Sequence, residues 1–191
     1  MNNVQPSRMA PANSMLLIVD VQEQLAPAIQ GIEGIVMRNK VLIEAANRFS
    51  VPILITEQNP KGLGHTDPSL TELAQDVKVY EKIHFGATDE PDFCTLMDET
   101  GKEEIVITGT EAHVCVLQTA LGLHELGYRI RFCADAVGSR TAFDKQIAIK
   151  RVESENICVV TTEMVLFEWL KSAASDEFSD LLPSIRNLAH A

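Results

Sequence analysis

The stretch Met15–Leu16–Leu17–Ile18–Val19–Asp20 joins five consecutive apolar side chains to a single carboxylate. A strand inside a parallel sheet is covered on both faces, so it lacks the polar alternation of a half-exposed strand. The run therefore predicts a buried parallel strand that ends at Asp20. In open parallel sheets, ligands bind beyond the carboxyl ends of the strands, which makes Asp20 the first candidate site residue.

The same kind of apolar run recurs along the chain, which predicts further strands at 52–56, 77–80, 104–108, 129–134 and 157–160. Segments with helical spacing separate or follow them, at 35–49, 69–75, 93–100, 114–126, 144–155, 161–170 and 176–188. This alternation predicts an α/β fold, namely a doubly wound three-layer α/β/α arrangement with a six-stranded, mainly parallel sheet of the Rossmann type. Residues 1–14, with two prolines and three asparagines, are predicted to form a flexible tail, and 15–191 a single domain.

Composition excludes several classes of function. The chain has 16 Lys plus Arg against 27 Asp plus Glu, a net charge of −11, which opposes nucleic-acid and anionic-membrane partners. No apolar run is long enough to span a bilayer, and no phosphate-binding glycine motif predicts a nucleotide cofactor. The four cysteines show no zinc spacing and are predicted to be reduced thiols of a cytoplasmic protein: Cys94, Cys115, Cys133 and Cys158.

Three residues of chemical interest follow predicted strands. Asp20 ends the first strand, Lys82 follows the third, and Cys115 begins the helix after the fourth. A helix N-terminus and a neighbouring ammonium both favour a thiolate, so the pKa of Cys115 is expected to be low. Each residue also has an ordinary structural interpretation: the aspartate as a turn or cap residue, the lysine as a solvated charge, and the cysteine as a small buried apolar group.

Three separated segments resemble the signature segments of isochorismatase-like cysteine hydrolases, in the order of that superfamily. They are Leu17–Ile18–Val19–Asp20–Val21–Gln22, Glu81–Lys82–Ile83–His84–Phe85–Gly86 and Thr108–Gly109–Thr110–Glu111–Ala112–His113–Val114–Cys115–Val116. The resemblance covers about 14–170 and includes Ser139 and Arg140. Residues 56–64 and 111–115 make the resemblance closest to isochorismatase domain-containing proteins of unassigned substrate.

The resemblance implies a role for each matching residue. Cys115 would be the nucleophile, Asp20 would take its proton and pass it to the leaving group, and Lys82 would hold charge in the pocket. A cis peptide bond is implied at Thr110–Glu111, followed by Ala112. This turn would direct backbone N–H groups, including that of Cys115, at a developing oxyanion.

The resemblance also implies which residues surround the nucleophile. Gln22, Glu57, His84, Phe85 and His113 are expected to line the substrate pocket. Nicotinamidases of this superfamily hold a metal ion with Asp and His residues after the second strand, where this chain has Glu57–Gln58–Asn59 and then His65. No metal site is therefore predicted.

The sequence thus predicts a hydrolase that uses a cysteine nucleophile on a small amide or carbamoyl compound through an acyl-enzyme. Three alternatives remain open: an ether hydrolase of the isochorismatase type, a binding protein on the same fold, and a redox sensor that pairs Cys115 with Cys94 or Cys133. His113 is an alternative activating base. The resemblance implies a homo-oligomer, dimeric, tetrameric or larger, with interface candidates Leu166, Phe167, Trp169 and Leu170.

Overall fold

The structure is a computed structural model that describes residues 8–188. Its strands are β1 Ser14–Val19, β2 Ile53–Gln58, β3 Lys78–Lys82, β4 Glu104–Thr110, β5 Arg129–Gly138 and β6 Cys158–Val160. Its α-helices are α1 Ile32–Arg48, α2 Pro60–Leu63, α3 Pro68–Thr71, α4 Phe93–Glu99, α5 Cys115–Glu125, α6 Ala142–Ser154, α7 Thr162–Leu170 and α8 Asp176–Leu188. All six predicted strands and the seven predicted helical segments are present.

The six strands form one sheet in the order β3-β2-β1-β4-β5-β6, and every neighbouring pair is parallel. The order reverses at β1, whose two neighbours are β2 and β4. This is the switch point at which doubly wound sheets form a crevice at the carboxyl ends of their strands. The predicted fold class is therefore confirmed, and Asp20 lies at the switch point.

Two apolar layers cover the sheet, one on each face. In β1, Leu16 and Ile18 pack into the layer that contains α1, α7 and α8, whereas Leu17 and Val19 pack into the layer under α4, α5 and α6. Successive side chains of a strand point to opposite faces, so a strand buried on both sides needs an unbroken apolar run. This requirement explains why residues 15–19 are all apolar.

Several strands extend further at their carboxyl ends than the apolar runs that predicted them. β2 continues to Gln58, β3 to Lys82 and β5 to Gly138. Apolar periodicity stops at the first polar residue, but the backbone ladder continues as long as a neighbouring strand is available to pair with it. Three of the extra residues are polar and buried at the carboxyl ends of β2 and β3, namely Glu57, Gln58 and Lys82.

The amino-terminal boundary differs from the predicted one. Residues 1–7 of the predicted tail lie outside the described residues, but Met9 and Ser14 are buried against the domain. Met9 is 1% exposed, and its N–H donates to Glu168 Oε2 at 2.6 Å. Ser14 begins β1 and accepts a hydrogen bond from Trp169 Nε1. The packed part of the chain therefore starts before Ser14.

Most of the residues predicted to form an oligomer interface are not on the surface. Of the four predicted interface residues, Leu166, Trp169 and Leu170 are buried in the core, and Phe167 is 49% exposed. Within residues 8–188, no helix is long and apolar enough to cross a membrane.

Gly109 allows β4 to approach β1 closely where both strands end. It pairs with Val19, has φ +109°, and a Cβ built on it would lie 2.0 Å from the Val19 carbonyl oxygen. The β4–β5 register shifts at the same place. Only glycine fits this position, because any side chain would collide with backbone that cannot move aside.

We expect Gly109→Ala to lower the free energy of unfolding by about 3 kcal/mol or more, because strain in φ and a backbone collision act together. Gly101→Ala is the matched control, since Gly101 also has positive φ (+63°) but no atom within 4 Å of a built Cβ. That control should cost about 1–2 kcal/mol. Urea unfolding of both variants measures the difference, and equal losses would contradict the close approach.

Candidate active site

The carboxyl edge of the sheet brings Asp20 and Lys82 into contact. Asp20 follows β1, Lys82 ends β3, and β2 lies between them. Lys82 Nζ lies 2.7 Å from Asp20 Oδ2, and both side chains are 0% exposed. An ion pair taken out of water loses several kcal/mol of hydration per ion, and further polar contacts must compensate for that loss. The neighbours of the pair supply such contacts.

The Asp20 carboxylate is held at both oxygens. Oδ2 accepts from Lys82, and Oδ1 accepts from Thr56 Oγ1 at 2.7 Å. Its backbone is held as well, because Asp20 N–H donates to the Thr56 carbonyl and Thr110 Oγ1 donates to the Asp20 carbonyl at 2.7 Å. Asp20 has φ +50°, a left-handed conformation that these bonds maintain. The carboxylate is therefore fixed in place.

The Lys82 ammonium has four acceptors within hydrogen-bond distance. Besides Asp20 they are Gln58 Oε1 at 2.8 Å and the carbonyl oxygens of Phe85 and His84 at 3.2 and 3.3 Å. An ammonium has three protons to donate, so protein acceptors already satisfy it. Lys82 consequently acts as a fixed positive charge beside Asp20, with neither side chain exposed to solvent.

Cys115 is the first residue of α5 and is 6% exposed. Burial, reinforced by the Asp20 carboxylate, raises the pKa of the Cys115 thiol to about 12, and the Lys82 ammonium opposes this shift without reversing it. The expectation of a low pKa was wrong: removal of the sulfur from water outweighs the nearby positive charge. At neutral pH the resting group is a thiol beside a carboxylate able to accept its proton.

The turn before Cys115 leaves that residue's N–H available. The Thr110–Glu111 bond is cis, as the resemblance implied. Ala112 N–H donates to the Gly138 carbonyl, while the N–H groups of residues 114 and 116 both donate to the Glu111 carbonyl. Within residues 8–188, no backbone acceptor is paired with Cys115 N–H. This donor, and not that of Ala112, is free to meet a negatively charged oxygen.

Residues 138–140, where β5 ends and the next loop begins, form hydrogen bonds with the turn 111–113. The contacts are Ala112 N–H to the Gly138 carbonyl at 2.6 Å, His113 Nδ1 to Ser139 Oγ at 2.9 Å, and Arg140 Nε to Glu111 Oε1 at 2.7 Å. Each of residues 138–140 thus contacts one residue of the turn 111–113. The position of the turn 111–113, which precedes Cys115, therefore depends on β5, a strand that follows α5 in the sequence.

Residues 14–164 match the Isochorismatase domain. The chain belongs to the isochorismatase family. Isochorismatase family protein 1B of Dictyostelium discoideum is 34% identical over 92% of this chain and 87% of that protein. Isochorismatase domain-containing protein 2 of Danio rerio is 32% identical over 91% of this chain and 87% of that protein. The suspected resemblance is confirmed.

Solved structures show the same isochorismatase fold. A Caenorhabditis elegans protein described as MAR1 ribonuclease is 34% identical, with a TM-score of 0.87 over 94% of this chain and 92% of that one. The YcaC gene product of Escherichia coli, described as an octameric hydrolase of unknown specificity, has a TM-score of 0.87 at 24% identity, over 97% of this chain and 96% of that one. The second likeness concerns the fold alone.

Two of the expected pocket residues of this isochorismatase-family chain hold loops together. Gln22 is fully buried, and its amide binds the backbone of Gln58 and the Gly64 carbonyl. Glu57 accepts from Thr66 N–H and Oγ1 and lies 3.0 Å from His65 Nδ1. Burial alone would raise the pKa of Glu57, but these hydrogen bonds outweigh it and lower that pKa. Both residues fix the segments after β1 and β2.

The other three expected pocket residues lie nearer the surface. His84 Nδ1 is 3.0 Å from Glu90, and Phe85 is 55% exposed. His113 faces Ser139, so its ring already has a partner other than the thiol. Glu90 is a residue that the sequence did not indicate: backbone N–H donation from His84 and Ile83 lowers its pKa to about 2. It holds the segment after Lys82.

Thr56 and Gln58 are the functional neighbours that sequence reasoning missed. Both lie on β2, two residues apart, and so face the same side of the sheet. Thr56 contacts Asp20 and Gln58 contacts Lys82. A partial signal was present, because the strand at 52–56 is predicted and ends at Thr56, but only the observed strand order and register show which of its residues reach the pair. Across residues 8–188, no group of three or more His, Cys, Asp or Glu is arranged to hold a metal ion.

The raised pKa of Cys115 predicts a specific pattern of alkylation. Between about pH 7 and 10, the rate at which iodoacetamide modifies Cys115 should rise about tenfold per pH unit, because the thiolate fraction does. At pH 8 the exposed Cys158 should react first. Peptide mapping by mass spectrometry measures both rates in one sample. A Cys115 rate that levels off below pH 9 would contradict the shift.

Proposed function

We propose that this isochorismatase-family chain is a cysteine-dependent amidohydrolase that acts on a small amide or carbamoyl compound. The observation that supports the proposal most directly is the buried Asp20–Lys82 ion pair beside the Cys115 thiol. A buried ion pair is a poor device for stability alone, since apolar side chains of the same volume would serve as well or better. A thiol that must lose a proton during a reaction needs such a base beside it.

The first half of the reaction forms the acyl-enzyme. As Cys115 Sγ bonds to the carbonyl carbon, its proton passes to the Asp20 carboxylate, and the carbonyl oxygen becomes an oxyanion near Cys115 N–H. The carbon–nitrogen bond then breaks, and Asp20 returns the proton to the leaving nitrogen. The products of this half are a thioester and an amine or ammonia.

The second half regenerates the enzyme. Water attacks the thioester carbon, Asp20 takes a proton from that water, and the carbon–sulfur bond breaks. The sulfur regains the proton from Asp20, and the acid leaves. Lys82 stays charged throughout and offsets the negative charge, which moves from carboxylate to sulfur or oxyanion and back. In each step, a single proton moves to or from the Asp20 carboxylate.

The pKa of Cys115 favours this concerted sequence over a preformed thiolate. A pKa of about 12 leaves a negligible thiolate fraction at neutral pH. General-base catalysis by a positioned carboxylate removes the need for a free thiolate, because the proton leaves as the new bond forms. Asp20 is positioned for this by Thr56 and Lys82.

The alternative functions have less support. Cys133 packs in the opposite apolar layer from Cys115, so the sheet separates the two, which disfavours a redox pair between these two cysteines. A net charge of −11 disfavours RNA, the substrate class in the name of the C. elegans protein. An ether hydrolase that does without the cysteine would not account for the thiol beside Asp20.

We expect Cys115→Ser and Asp20→Asn each to reduce kcat/KM for a small amide by about a thousandfold or more, because each removes a reacting group. Ammonia release across a panel of small amides measures this. Cys158→Ser is the matched control and should retain wild-type activity. Intact-protein mass spectrometry of the wild type should show the acyl adduct. Unchanged turnover by Cys115→Ser would overturn the proposal and point to the ether hydrolase; turnover of RNA but of no amide would also overturn it.

We further propose that the chain forms a homo-oligomer through α6. Only Ala148 and Val152 of this helix are buried, while Phe143 and Ile147 are 70% and 46% exposed one turn apart. Residues four apart lie on one helix face, so these two side chains form a continuous apolar surface. A second copy of the chain would cover it, in keeping with the octamer described for the E. coli neighbour.

Light scattering after size exclusion tests this assembly. The wild type should have a mass of at least twice 21.0 kDa. Replacing Phe143 and Ile147 by Ser together should shift the population to a smaller species, because the apolar contact is lost. Leu126→Ser, which removes an exposed apolar side chain outside α6, is the control. A monomeric wild type would refute the assembly.

A further inference from the structure

Gln58 has a fixed side-chain amide next to the buried ion pair. It pairs in register with Lys82 across β2 and β3 and is 7% exposed. Its Oε1 accepts from Lys82 Nζ at 2.8 Å, and its Nε2 donates to the Ile83 carbonyl at 2.6 Å. An ammonium only donates and a carbonyl only accepts, so this orientation of the amide is determined by its partners. One side chain thus holds both the catalytic cation and the segment that follows it.

The charge of this group of residues is balanced. Of the four acceptors around Lys82, only Asp20 carries charge, and Gln58 is neutral. The charged groups that act on the Cys115 thiol are Asp20 and Lys82, with opposite effects. When the thiol proton moves to Asp20, the carboxylate is neutralised, and the Lys82 charge is then available to the sulfur or the oxyanion.

We propose that Gln58 is a positioning residue whose uncharged amide directs Lys82 toward Asp20 and Cys115 without taking a share of the positive charge. A carboxylate at this position would also hold Lys82, but it would remain charged after Asp20 is protonated. The ammonium would then be neutralised by residue 58 and not by the reacting sulfur. This inference rests on the proposed function, because it assigns Gln58 a part in the same proton transfer.

The competing interpretation is that Gln58 only holds the loops. Its backbone N–H and carbonyl both bind the Gln22 side chain, and these bonds persist whatever side chain occupies position 58. Gln58→Glu keeps the shape and the acceptor for Lys82 but adds a charge. Gln58→Met keeps the volume and the neutrality but removes both amide contacts. The two variants therefore separate charge from positioning.

Alkylation of Cys115 by iodoacetamide tests the proposal without a known substrate. In Gln58→Glu, the rate on the rising part of the pH profile should fall about tenfold at any given pH, equivalent to a shift of about one pH unit upward. In Gln58→Met, the rate at a given pH should fall by only about threefold, because Lys82 is less well directed but no negative charge is added. Thermal unfolding of each variant checks that the fold is retained.

Each variant can overturn the proposal by itself. An unshifted profile in Gln58→Glu would reject the part played by charge, and an unchanged rate in Gln58→Met would reject positioning. If one variant does not fold, the other still decides. Asp20→Asn is the reference: removal of its charge should shift the profile to lower pH while amide hydrolysis is lost. If Asp20→Asn behaves so and the Gln58 variants do not, this inference alone fails. If Asp20→Asn still hydrolyses amides, the proposed function fails.

Discussion

The buried ion pair between Asp20 and Lys82 is the constraint on which the rest of the site depends. Neither side chain is exposed to water, so the protein has to replace the hydration of both ions with its own polar groups. Thr56, Gln58 and two backbone carbonyls do this. The need to place those groups explains why β2 ends in buried polar residues and why the segment after Lys82 turns back toward it. The same contacts fix the carboxylate beside the thiol.

The electrostatics of the site around Cys115 follow from burial as much as from charge. Lys82 and a helix N-terminus both favour a thiolate, yet the pKa of Cys115 is raised to about 12 because the sulfur is removed from water and faces a carboxylate. A thiol in this setting is almost entirely protonated at neutral pH. In the proposed reaction, proton transfer to Asp20 would keep the total charge of the three groups constant, so no net charge would be created in a site removed from water. This combination suits acyl transfer to a small, neutral substrate.

The turn before Cys115, residues 111–114, is supported from two directions. Gly109 allows the end of β4 to approach β1 closely, and the next residue, Thr110, donates a hydrogen bond to the Asp20 carbonyl. Residues 138–140 at the end of β5 hold the turn on its other side. Cys115 N–H is left open between these supports, while Ala112 N–H is used within the protein. The geometry of a short loop is thus set by three strands, none of which is close to Cys115 in sequence except β4.

The sequence by itself determined the order of the elements, the parallel sheet, the placement of Asp20 and Lys82 at strand ends and that of Cys115 at the start of a helix. These features depend on local apolar periodicity and on motifs that can be read along the chain. The tertiary structure decided which residues surround them: Thr56 and Gln58 contact the ion pair because strand register places them there, and His113 faces Ser139 and not the thiol. It also decided the direction of the pKa shift of Cys115, because desolvation depends on how many parts of the chain cover the sulfur, and no local pattern records that number.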